Sequence, residues 1–307
     1  MSYTTPPTLS YGLQQELDSL AKLIARDYST IAQNMFAAAL QGAGTAPKVS
    51  LPPLVQLVDR IITPTIHQWE GLYVDHPNDS GGATCRGVIV TTFTQTFDKI
   101  FISYGTQDVK NAVRSFNQRR PTWKSDLVLA KQVLYGLAKN EKVAGLWIVK
   151  FLCDPSCRYP IAVMAEDPFL GFFLAECCWG SGAGCYTTNG FDTVARQYGW
   201  NGSTSQWVSF IAGLGKRTPE FASKLVEKRL QFILNISKPE SKNSVFRKGW
   251  LRRLVNDSKN SDISMMVKIN ELFNLNTEGA FNLSQAELAH LKVKAESYKS
   301  FSINVPS

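Results

Sequence analysis

The sequence predicts a mainly α protein in which one small β-hairpin interrupts a long succession of helices. Apolar residues recur at spacings of three and four along most of the chain, and several of these runs open on a capping residue. One stretch, Glu70 to Val88, breaks the pattern with Pro77, Gly81, Gly82 and Gly87. At 307 residues, 44% hydrophobic and 19% charged, the chain has room for one large domain or two modest ones with a real core. Its net charge of +8 and pI near 9.1 favour polyanionic partners. Nucleic acid, anionic membrane and bacterial cell wall all fit that charge. No cluster of Lys and Arg with interleaved aromatics gives the nucleic-acid reading a motif. Residues 1–12 are polar and uncharged, unlike a signal peptide. No apolar run approaches the roughly 20 residues that span a bilayer.

Residues 1–10 are rich in Pro, Thr and Ser and read as loose. From Leu13 an apolar stripe follows through Leu17, Leu20, Ile24, Tyr28, Ile31 and Met35. It describes an amphipathic helix that packs on a neighbouring domain or forms a short coiled-coil seam; packing is the favoured expectation. Residues 41–53 read as a linker, making 1–53 an N-terminal arm. Leu54, Leu57, Val58, Ile61 and Ile62 then lead into Thr63-Pro64, a cap and first helical position. A last turn with Ile66 and Trp69 delivers Glu70 to a helix end. Tyr73-Val74 and the run Val88 to Thr92 read as extended pieces of a hairpin.

Helical patterns resume at about 106–117, broken by Pro121, and continue at about 125–140 and 141–151. Tyr135 and Trp147 are core or cleft-wall aromatics; the pattern does not separate the two. Asp167-Pro168 opens another helix, which Gly180, Gly182 and Gly184 stop, leaving Trp179 and Ser181 at a tight corner. That corner reads equally as a sugar or peptide contact and as a plain helix stop. Further helices are expected at 189–198 and 218–236, with a turn at Trp200 between them. Ser284 and Glu287 make a capping box ahead of an apolar face of Leu288, Leu291 and Tyr298, preceded by a helix around Met265 to Phe273. Residues 256–307 therefore form a C-terminal helical extension, for attachment to something larger or for capping the domain.

The chemistry concentrates at Glu70. A carboxyl at the end of an apolar helix is partly desolvated, which favours its neutral form and proton donation near neutral pH. Asp79, nine residues on in a solvated turn, is expected to stay ionised. Thr84 supplies a hydroxyl able to orient water. Two carboxyls in unlike environments with a water-holding hydroxyl suit glycosidic hydrolysis. An ordinary helix end followed by an Asp/Asn turn gives the same pattern. Glu166 and Glu176 are weaker candidates, since neither has a second carboxylate and a hydroxyl at close spacing.

The string carrying Glu70, Gly71, Tyr73, Pro77, Asp79, Gly81, Gly82, Thr84 and Gly87 resembles the signature of glycoside hydrolase family 108. In that family E-G-G-Y precedes an N-D-P-x-D-x-G-G-x-T-x-x-G-I-like run. Leu72 replaces the second glycine here, and Asp75-His76 stands where Asn-Asp is usual. The spacing of Glu70, Asp79 and Thr84 is also similar to the Glu/Asp/Thr triad of phage lysozymes, one residue short between the last two. The resemblance implies a lysozyme-like α+β catalytic domain at 54–165 and a helical peptidoglycan-binding lobe at 166–255. It covers three islands, the later ones being the 167–184 corner and the pairing of the 218–236 helix with the run from Phe246 to Arg253. It implies an N-acetylmuramidase with Glu70 as catalytic acid, assisted by Asp79 and Thr84. Tyr73, Trp179 and Ser181 are the expected saccharide contacts. The implied partner is bacterial peptidoglycan, with other virion proteins reached through the two extensions, and no nucleic acid. The implied setting is a phage virion, or a host cytoplasm with delivery to the wall.

No cofactor is expected. The cysteine spacings Cys153-x3-Cys157 and Cys177-Cys178-x6-Cys185 are not those of recurrent structural zinc sites, and His67, His76 and His290 are scattered. Reduced thiols are the leading expectation, followed by a Cys153–Cys157 disulfide if the protein matures outside the cytoplasm. Three functions stay open: a phage lysin, a virion structural protein with a lysozyme-like wall-binding fold and little catalysis, and another polysaccharide hydrolase such as a chitinase.

Overall fold

A computed structural model describes residues 5–44, 51–67, 70–75, 82–215, 218–246 and 250. The expectations for Trp69, His76, Pro77, Asp79, Gly81, the Arg-rich end of the Phe246 run and the extension 256–307 lie outside the described residues. The helices run α1 (Tyr11–Arg26), α2 (Tyr28–Gly42), α3 (Leu51–Leu57) and α4 (Thr63–His67), with a π-helical turn at Val58–Ile62 before α4. The strands β1 (Thr84–Cys85) and β2 (Val88–Ile89) follow, then α5 (Val90–Asp98), α6 (Gln107–Arg119), α7 (Leu127–Ala138) and α8 (Glu141–Leu152). Beyond them lie α9 (Pro160–Glu166), α10 (Pro168–Ser181), α11 (Cys185–Thr188), α12 (Phe191–Gln197), α13 (Trp207–Leu214) and α14 (Thr218–Ile236). The fold is mainly α with a two-stranded antiparallel hairpin, the layout expected of a lysozyme-like protein.

The chain forms two compact units. The first comprises the described residues within 1–38 and 58–150, the second those within 39–57 and from 151 onward.

In the first unit α1 starts at Ser10, whose hydroxyl accepts from the Leu13 amide. Leu13, Leu17, Leu20 and Ile24 are buried, and α1 packs on α6 and α7. The N-terminal stripe is therefore core. Glu16, at the edge of that stripe, takes Arg119 at 2.5 Å and Arg120 at 2.9 Å. The linker expected from residue 41 begins inside α2 and is interrupted by α3. An aromatic cluster fills the middle of the unit: Phe93 stacks on Trp147 at 4.9 Å, and Phe97 meets Trp123 edge-on at 4.9 Å. Both indole N–H groups are satisfied, Trp147 by Thr96 at 2.9 Å and Trp123 by Asn117 at 2.8 Å. Trp147 is thus a core residue.

The second unit is built around two buried arginines. Arg158 sits under the rings of Tyr186 (4.0 Å), Trp200 (4.5 Å) and Trp207 (4.7 Å) and pairs with Asp192 at 2.7 Å. A guanidinium is weakly hydrated and planar, so it tolerates such an aromatic cage better than an ammonium would. Arg229, from α14, is the second. Helices α9 and α10 approach so closely that a Cβ on Gly171 would lie 2.5 Å from the Met164 backbone. Only glycine fits there. All six cysteines carry free thiols, so Cys153 and Cys157 are not joined.

Candidate active site

The site region begins where α4 ends. The Glu70 amide donates to the His67 carbonyl at 3.2 Å, closing the helix, and the Glu70 side chain is half-buried. The chain then turns back along the hairpin. Val74 and Thr84 exchange both backbone hydrogen bonds, at 2.9 and 2.8 Å. The Arg86 amide donates to the carbonyls of Gly71 (3.0 Å) and Leu72 (3.3 Å). Residues 70–74 are held by this pairing against 84–86.

The hairpin itself is tighter than the sequence pattern implied. Thr84 pairs with Ile89 and Cys85 with Val88, which leaves Arg86-Gly87 as a two-residue turn. Both turn residues have positive φ, 47° and 78°, the requirement of a type I′ turn matching the twist of a strand pair. Gly87 meets it without strain, whereas Arg86 is one of few non-glycine residues there. The extended run expected over 88–92 stops at Ile89. Val90 starts α5, because Val90, Phe93 and Phe97 are all buried on one helical face. Packing overrides the β-propensity of Val90-Thr91-Thr92.

Side chains around this backbone are strongly coupled. Thr84, half-buried, donates its hydroxyl to the Gly82 carbonyl at 3.3 Å, leaving the oxygen to accept from a water. Tyr73 is buried, its ring edge-on to Tyr135 at 5.6 Å. Burial, then the charge of Asp75, to which it donates, push the Tyr73 phenol up to about 12. Asp75 also receives Lys131 of α7 at 2.7 Å. Arg86 reaches the Lys139 carbonyl at 3.2 Å and Glu141 at 3.0 Å, tying the turn to the α7–α8 junction. Beneath lies His67, 7% exposed, whose Nε2 has no partner. Burial, reinforced by the Arg86 charge, brings it down to about 4, so it is neutral at pH 7.

Of the expected site residues, Glu70, Tyr73 and Thr84 fall together on this helix end and hairpin, in the first unit. Trp179 and Ser181 belong to the second unit, in the last turn of α10. Trp179 is half-buried and meets Phe151 edge-on at 5.2 Å. The Ser181 hydroxyl accepts from Arg229 at 2.9 Å, and the same Nη1 donates to Asn189 at 3.1 Å. Glu166 ends α9 and Glu176 lies within α10, both half-buried in the second unit. Sequence reasoning did not single out Lys131, Arg86 or Arg229 as partners of these residues. The one signal for Lys131 was Asp75, an acid where the family motif carries Asn. Among the described residues no group of three His, Cys, Asp or Glu side chains could hold a metal ion.

Residues 63–119 match the family model described as Glycosyl hydrolase 108. No curated protein and no solved structure matches the chain. The matched residues run from the start of α4 through the hairpin to the end of α6 and stop before Trp179, Ser181 and the rest of the second unit. The segment that carries Glu70, Tyr73 and Thr84 is thus similar to the glycosyl hydrolase 108 family, and this similarity supports a glycoside hydrolase.

Proposed function

We propose that this protein is a muramidase that cuts the glycan strand of bacterial peptidoglycan, with Glu70 as the general acid. The observation that carries the reading is a half-buried glutamate at a helix end, braced by a hairpin, inside the family-matched segment. In this reading Glu70 protonates the glycosidic oxygen as the bond breaks. Asp79, the second acid of the motif, stabilises the oxocarbenium-like state or activates water, and Thr84 helps hold that water. Tyr73 contributes mainly from behind, through Asp75, because its ring is buried. Trp179 and Ser181 provide wall contacts in the second unit, which then acts as a peptidoglycan-binding lobe. The high net positive charge suits an anionic wall. A phage lysin, free or carried on the virion, is the setting we favour.

The test is release of reducing ends from purified peptidoglycan by the wild type and by Glu70→Gln, with folding checked by circular dichroism. The expected loss is at least about a hundredfold, the scale of general acid catalysis. Equal activities would remove Glu70 from the acid role. A second reading, a virion structural protein that holds the wall without cutting it, is favoured by two departures: Leu72 is exposed in place of the usual glycine, and the Asp75 carboxylate is engaged by Lys131. Wall binding without turnover by either protein would select it. Chitin oligomers cut in preference to peptidoglycan would instead point to another polysaccharide hydrolase.

A further inference from the structure

We propose that Cys178 and Cys185 are a redox pair that closes a disulfide across the glycine-rich corner between α10 and α11. Their Sγ atoms lie 3.5 Å apart, seven residues apart in sequence, and both side chains are fully buried. Cys178 is in the last turn of α10 and Cys185 is the first residue of α11. The intervening chain contains Gly180, Gly182 and Gly184, with Gly182 already in a left-handed φ of 63°. Such a segment can give the roughly 1.5 Å needed to bring the sulfurs to a bonded separation of about 2.05 Å. After reduced thiols, the sequence offers Cys153–Cys157 as the disulfide that would form outside the cytoplasm. The structure instead puts Cys157 within hydrogen-bond reach of Cys178, as a third thiol beside the pair.

The step is thiol–disulfide exchange with a low-molecular-weight disulfide as oxidant. A thiolate of the pair attacks the small disulfide, forming a mixed disulfide and expelling one small thiol. The second cysteine then attacks the mixed disulfide and expels the other. Two protein S–H groups are lost, one S–S bond forms, and the oxidant leaves as two thiols. Hydrogen bonding to Cys157 and Cys185, then burial, hold the Cys178 thiol far above its ordinary range. Exchange is therefore slow while the corner is closed and proceeds through its transient opening. The consequence is a corner that stays a dithiol in a reducing cytoplasm and becomes stapled once the protein meets an oxidising exterior. Trp179 and Ser181 lie inside the staple.

The test uses the full chain, incubated with oxidised or reduced glutathione, alkylated in denaturant and digested with trypsin. Cleavage after Lys150, Arg158 and Arg196 puts Cys153 and Cys157 on one peptide and Cys177, Cys178 and Cys185 on the next. The expected product is the second peptide lighter by two hydrogens and carrying a single alkyl group. Cys177→Ala keeps that internal bond and Cys185→Ala abolishes it. Oxidation is expected to raise Tm by roughly 5 °C in the wild type and not in Cys185→Ala. Three alkylated cysteines on that peptide after oxidation, or a bond joining it to the Cys157 peptide, would overturn the proposal. Fragmentation of the wild-type peptide, with the alkyl group expected on Cys177, decides the matter even if a variant misfolds. No outcome depends on whether the protein cuts glycan.

Discussion

The ends of α4 and α10 look alike in sequence, each an apolar helix running into glycines with polar side chains close by, but they are built in different ways. At the end of α10 the polar groups are consumed internally. Arg229, 9% exposed, donates to both Ser181 and Asn189, so one buried cation satisfies two oxygens near a helix C-terminus, where positive charge is favoured. At the end of α4 the bracing is done by backbone. Arg86, Val74 and Thr84 hold the chain through amides and carbonyls, and the half-buried carboxyl of Glu70 rides on that frame. A corner stabilised by side chains resists change at those side chains. A corner braced through its backbone depends less on any one side chain.

That contrast can be broken or sharpened by measuring stability. Removing the buried cation should have the largest effect: Arg229→Ala is expected to lower unfolding free energy by about 3 kcal/mol, since it opens a cavity and strands the Asn189 oxygen. A denaturation midpoint close to wild type would mean that α10 is not held by Arg229. The α4 end should respond to acid instead. With His67 lowered from 6.5 to about 4, both states are neutral above pH 6.5. As pH falls below that, the unfolded chain binds a proton that the folded chain refuses, so stability declines until about pH 4. The decline amounts to at most about 3 kcal/mol, and His67→Leu should flatten it between pH 7 and 4 in thermal melts. An unchanged slope in that variant would assign the acid limb to other groups. Ser181→Ala should have the smallest effect, about 1 kcal/mol, because Arg229 keeps its bond to Asn189. Weakened wall binding beside that small change would support Ser181 as a wall contact, and unchanged binding would leave it a brace alone.

Much of the helical frame was legible because its signals are local. Asp167 caps α10 by accepting from Leu170, as an Asp-Pro pair announces, and Gly182 ends that helix, which runs on through Gly180. The Glu70 end of α4 was legible for the same reason. The strand register was not. Tyr73-Val74 pairs through a single bridge at Thr84, and the pairing across Arg86-Gly87 depends on an arginine taking a left-handed conformation that its residue type disfavours. The buried arginines escaped notice because a cation in a core is defined by its neighbours. Nothing near Arg158 in sequence announces the three rings that surround it, the nearest being 28 residues away, Tyr186, in the helix α11. The N-terminal stripe showed what would be buried but not against what, and only the packing on α6 and α7 makes it part of the first unit.

The turn at Arg86-Gly87 has a consequence for how this protein can change over generations. Arg86 contributes its amide to the loop after Glu70 and its guanidinium to the α7–α8 junction, so one residue reads the length of two separate connections. An inserted or deleted residue in the hairpin would flip its side chains to the opposite face and detach both contacts together. Hairpin tips are ordinarily where chains accept extra residues. In this chain the tip acts as a ruler, and lineages that lengthen it would have to rebuild the α7–α8 connection in the same step.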